Sequence, residues 1–215
     1  MPAERTPAFD WSRYADATLA GLSVLIPIPF VDDAFEAFFR KRIPVAVARS
    51  RGRTIPDDVR ALLGEGDGGG CATIPLRLTL GLLKRLSRKL LYFLTIKSAT
   101  DRLSHHWARA FLIDHMLMAG QLESPATARV ALRAMDEVLE TVAGPLPRLA
   151  RQVIAGARNV WPALRRARRG EESEEVRQVR SQLEGHWTEA AADLRSIAAR
   201  YDAAYARLSG AGQAG

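Results

Sequence analysis

Residues 97–122 read KSATDRLSHHWARAFLIDHMLMAGQL. At helical spacing Leu103, Trp107, Ala110, Phe111, Leu117 and Met118 share one face, and Leu112 and Met116 lie on another. Arg102 and Arg109 are left as the strip expected to stay wet. A helix apolar on two sides needs neighbours on both, so this stretch predicts the central member of a helical bundle. The fold class follows as all-α, with roughly seven to eight helices in all.

Upstream, residues 74–96 are leucine-rich and predict a separate helix. Arg77, Lys84 and Arg88 fall on one narrow stripe of it, with Arg85 and Lys89 beside them. The run GEGDGGG at 64–70 reads as a connector, since it lacks the lysine and hydroxyl residue of a P-loop. Thr54-Ile-Pro-Asp57 is a helix start signal. A first helix over about 9–26 is stopped by Pro27 and Pro29. A second begins near Val31, with Asp32 and Asp33 favoured by the dipole of its first turn. Val31, Phe35, Phe38 and Phe39 form its apolar face, followed by Arg40, Lys41 and Arg42. Pro44 is expected to kink or restart this helix.

Downstream, Ser124-Pro125 caps a helix to about residue 143, and Gly144, Pro145 and Pro147 separate it from one ending in the arginine run 165–169. Gly170 breaks the chain. Beyond it Val176, Leu183, Ala190, Ile197 and Ala204 repeat every seven residues, with Trp187, Leu194, Tyr201 and Leu208 four residues after most of them. This predicts one long heptad-patterned helix over 171–208, packed on the bundle or paired with a second copy as a homodimer. The expected organisation is a disordered N-terminus at 1–8, a helical bundle over 9–170, that long helix, and a disordered tail at 209–215.

Apolar residues make up 47% of the chain and charged ones 26%, which excludes a wholly disordered protein. The net charge of +7 is uneven: residues 1–170 carry +10 and the acidic segment after Gly170 carries −3. Only Lys41, Lys84, Lys89 and Lys97 among the 31 basic residues are lysine. Cys71 is the single cysteine, so an intrachain disulfide is excluded and a reducing compartment is expected. No secretory signal is read at the N-terminus. The longest uncharged run, residues 17–31, is short for a membrane span and carries two prolines. The expected location is therefore cytoplasmic, or peripheral to the inner membrane.

Histidine and carboxylate side chains cluster on the central helix at Asp101, His105, His106, Asp114 and His115, and these types ligate zinc or iron. Helical rise separates His106 from Asp114 by about 12 Å along the axis, too far for one ion. Asp101 and His105 are within reach of each other but make only one pair. The leading reading is structural: buried polar residues answered by other side chains, with Arg133 or Arg158 the expected partner of Asp114. A metal-dependent or acid–base enzyme at this cluster is the alternative. No nucleophile motif is present, and no catalytic residue or cofactor is expected. The basic stripe at Arg77, Lys84, Arg85, Arg88 and Lys89, and the run 165–169, read first as a solvated face; as a binding face they suit phospholipid headgroups better than a nucleic-acid groove. Nucleic-acid binding is the second alternative.

Residues 19–62 resemble a family of bacterial helical proteins of unknown function that accompany small Ras-like GTPase domains and associate with membranes. The likeness rests on an apolar helix running into Pro27-Ile-Pro29-x-x-Asp32, then an amphipathic helix ending at Gly52. It implies a membrane-associated helical module without catalysis of its own and a small GTPase as partner. Arg40-Lys-Arg42 and Pro44 depart from the more apolar family pattern and favour surface attachment over insertion. The expected function is a non-enzymatic adaptor or scaffold that binds a protein partner, with an anionic membrane surface as the expected place of docking and Phe35, Phe38, Phe39 and the basic stripe as its docking residues.

Overall fold

The computed structural model describes residues 9–26, 30–65, 88–141, 150, 151, 153, 154 and 160–211, leaving aside the side chains of 65, 88–95 and 211. Its elements are α1 (Trp11–Leu22) with a 3-10 turn (Ser23–Leu25), α2 (Val31–Ser50), α3 (Asp57–Glu65), α4 (Arg88–Met118), α5 (Pro125–Thr141), α6 (Val160–Arg168), α7 (Glu174–Gly185) and α8 (Trp187–Ala211). No strand occurs among the described residues.

The central helix is α4. Leu103, Leu112, Ile113 and Met116 are fully enclosed, each worth about 1.5–3 kcal/mol of burial. Residues 88–96, expected in a separate helix, run straight into it, so one helix replaces two there. Arg109, expected on a wet strip, is only 1% exposed. Its Nη2 donates to the Leu63 carbonyl at 2.9 Å, in the last turn of α3, where carbonyls lack intrahelical donors.

Three contacts give the register of α1 on α4: Arg13 with Asp114, Trp107 with Thr18, and Gly21 with Leu103. The numbers fall on one helix as they rise on the other, so the pair is antiparallel. A side chain at Gly21 would place its Cβ 2.5 Å from the Leu103 Cα, so α1 meets Leu103 with bare backbone and has no room for a side chain of its own there. Arg42–Asp16 and Arg13–Ser50 likewise set α2 antiparallel to α1, which makes α2 parallel to α4.

Capping follows local chemistry. Asp10 accepts from the Ser12 amide at 3.0 Å to open α1, and Ser173 accepts from the Val176 amide to open α7. α2 closes at Gly52 (φ 61), whose amide donates to Arg49 while Arg53 donates to Ala48. α6 closes in the same way at Gly170 (φ 83), as the glycine positions anticipate. Phe30, immediately before α2, is left-handed (φ 69) and 70% exposed. Pro44 neither ends nor restarts α2, which continues through it to Ser50.

The C-terminal segment is two helices rather than one. Gly185 ends α7, His186 leaves helical geometry (φ −107, ψ 10), and α8 starts at Trp187 and reaches Ala211, past the expected start of the tail. Glycine is the weakest helix former after proline, which accounts for the break. The amides of His186 and Ala190 still donate four residues back, so the interruption is a single residue. Leu183, Trp187, Ala190, Leu194, Ile197, Tyr201 and Ala204 are buried in the main core, and Val176 in a second cluster with Leu19, Phe35, Phe39 and Leu164. The apolar seam expected to choose between the bundle and a second copy is thus taken up within the chain.

Candidate functional site

Phe35 and Phe39, expected on an exposed docking face, are buried at 6% and 0% exposure. α6 closes over them. The Trp161 ring lies 5.4 Å from Phe35, and Phe38 meets Phe39 edge-on at 5.1 Å. Phe38 and Trp161 stay half-buried at the rim. Of the expected docking residues, then, Phe38 alone of the three phenylalanines keeps substantial access. Arg77, Lys84 and Arg85 lie outside the described residues, as does the glycine run beyond residue 65; Arg88 and Lys89 open α4, with side chains outside the description.

What gathers at this rim is arginine. The Arg168 guanidinium sits 5.3 Å from the Phe38 ring centre and 5.6 Å from that of Phe35. Arg42 lies over Phe38 at 5.4 Å, and Arg165 over Trp161 at 5.7 Å. These are cation–π distances. Each seat has a local origin: Arg42 follows Phe38, and Arg165 follows Trp161, by one helical turn. Lys41 and Arg166 are exposed on the same two helices, and Arg169 just past the end of α6. Arg42 also pairs with Asp16 at 3.3 Å, and Arg169 with Glu171 at 3.4 Å. Arg165 and Arg168 have no acidic partner among the described residues. Burial raises the Asp16 carboxyl above its ordinary range, against the pull of Arg42 and Arg49.

The histidine and carboxylate cluster is spread over separate partnerships. Asp114 accepts two hydrogen bonds from Arg51, both at 2.7 Å, and pairs with Arg13 at 3.1 Å. Arginine is the expected kind of partner but not at the expected place: Arg133 is exposed on α5, and Arg158 lies outside the described residues. The fork to Asp114 raises Arg51 further, and burial raises the neighbouring Tyr14 phenol. His106 places Nε2 3.3 Å from Glu36, which also binds Arg102, while its Nδ1 is buried without a hydrogen-bond partner. Burial pushes the Glu36 carboxyl up, but His106 and Arg102 outweigh it and hold the group below its ordinary value. His115 meets Asp202 at 2.7 Å, edge-on to Tyr201, whose hydroxyl donates to Gln121. Asp101 is exposed, and His105 lies edge-on to His106. No group of three or more potential metal ligands converges among the described residues.

A narrow, partly open apolar cleft lies between α1, α6 and α7, walled by Trp11, Leu19, Leu22, Leu164 and Val176. Its Thr18 hydroxyl already donates to Tyr14 and accepts from Trp107. No described helix is long and apolar enough to cross a membrane. No protein-family model, curated protein or solved structure gives a significant match to the chain.

Reasoning from sequence found the phenylalanine stripe and the arginine run but not that one lands on the other. The signal available was the repeated aromatic-to-arginine spacing of four residues in both segments. Nothing local paired α2 with α6.

Proposed function

We propose that this protein is a non-enzymatic adaptor, a helical body that carries a protein partner and docks to an anionic surface through the α2–α6 face. The observation that supports this is the seating of Arg42, Arg165 and Arg168 on half-buried aromatic rings. Guanidinium groups held in place lose less freedom on contact with an anion than groups on loose stems do. The ionisable side chains of α4, by contrast, are used to hold α1, α2 and α8 together. The resemblance of residues 19–62 suggests a small GTPase as the protein partner.

Retention on immobilised heparin, used as a generic polyanion, tests the docking face. The wild-type chain is retained, and Arg165→Glu/Arg168→Glu elutes at clearly lower salt with an unchanged melting temperature. Elution of both at the same salt would remove this face from the proposal.

A further inference from the structure

We infer that the anionic surface met by the α2–α6 face is a phospholipid bilayer, with Phe38 and Trp161 entering the headgroup boundary and Arg42, Arg165 and Arg168 binding lipid phosphates. The inference rests on the docking reading above and names its occupant.

Two observations favour lipid over other polyanions. Guanidinium groups lie over the Phe38 and Trp161 rings, and Trp161 also packs on Phe35. Single-stranded nucleic acid needs ring faces for base stacking, and here guanidinium groups compete for those of Phe38 and Trp161. What the rim offers is half-buried aromatic surface beside positive charge. That combination suits the headgroup level of a membrane, where aromatic residues settle with one side apolar and one side wet. Charge completes the match: Arg165, Arg166, Arg168 and Arg169 lie within or just past the nine residues of α6, and Lys41 and Arg42 lie on α2. Glu171 offsets Arg169, which leaves Arg165 and Arg168 as the pair with most to gain from phosphate.

The test is co-sedimentation with vesicles of phosphatidylcholine mixed with phosphatidylglycerol, against vesicles of phosphatidylcholine alone. A single-stranded oligonucleotide and polyglutamate serve as rival anions. The expected result is partitioning onto the mixed vesicles. Arg165→Gln/Arg168→Gln should weaken it about 30-fold, the loss of two surface charges. Arg129→Gln/Arg195→Gln, exposed on α5 and α8, should leave it nearly unchanged. Brominated lipid should quench Trp11→Phe, which removes the other half-buried tryptophan, and Trp11→Phe/Trp161→Phe should lose the quenching, since Trp107 and Trp187 are buried. Equal loss in the two arginine pairs, or binding without quenching, overturns the inference. Heparin retention with binding to oligonucleotide or polyglutamate but not to vesicles overturns it and leaves the docking face standing. Failure on every anion, heparin included, brings down the docking face as well.

Discussion

Replacing Asp114 with alanine leaves two guanidinium groups facing the space of one lost carboxylate. Arg13 has a side chain only 9% exposed, and Asp114 itself is 8% exposed. Arg51, one third exposed, can turn towards water. Arg13 cannot turn far, because α1 is held against α4 at Gly21. Its remaining acidic neighbour, Asp10, stands 3.5 Å away and is about one third exposed. Truncating the carboxylate removes few apolar contacts, so the stranded charge dominates the cost. Breaking a buried pair in this way costs about 3–5 kcal/mol. For a chain of this size that lowers the melting temperature by about 6–20 °C. Urea unfolding followed by far-UV circular dichroism measures the change, with the slope expected to stay at the wild-type value. A second variant separates charge from shape: Arg13→Met/Asp114→Leu removes both buried charges and should recover most of the loss. The reasoning is refuted if Asp114→Ala costs less than about 1 kcal/mol, a value typical of exposed pairs, or if the double variant is as unstable as the single one.

Two further outcomes follow from the packing. Gly21→Ala should destabilise by about 1–3 kcal/mol, as overpacking does. Leu103→Ala should not rescue it, because the nearest atom is the Leu103 backbone Cα; rescue in the double variant would show that the helices part easily there. Glu36 gives a pH dependence. Its folded-state value lies below the ordinary 4.5, so its contribution is complete above pH 4.5 and is lost as pH falls through the depressed value. Glu36→Gln should therefore be less stable than wild type at neutral pH, with the two urea midpoints converging in acid; a constant gap across that range would remove Glu36 from the acid sensitivity.

Much of the helical pattern was legible along the chain because its signals are local. The starts of α3 and α5 and the closures at Gly52 and Gly170 each depend on residues within one turn. The deep burial of α4 was legible from its two apolar faces. Arg109 was misread for a physical reason: charge reads as wet, but the guanidinium is answered by a carbonyl at the end of α3, 46 residues away. The phenylalanine stripe was misread in the same manner, since an amphipathic face shows that something covers it and not what. Trp161 covers it from far along the chain. The partners of Asp114 and His106 come from α1 and α2, and no pattern near residues 106–114 specifies them. Gly185 was the visible sign of the interruption at His186, hidden by an apolar stripe that continues past it.

The parallel seating of α2 beside α4 has a mechanical consequence. Glu36 and Arg51 grip α4 at two heights, about 22 Å apart along α2. A rod pinned at two levels cannot pivot about either. A push on the outer side of α2 is therefore passed to α4 at both pins and, through Arg42 and Asp16, to α1. These three helices answer as one stiff unit and not as a hinged flap.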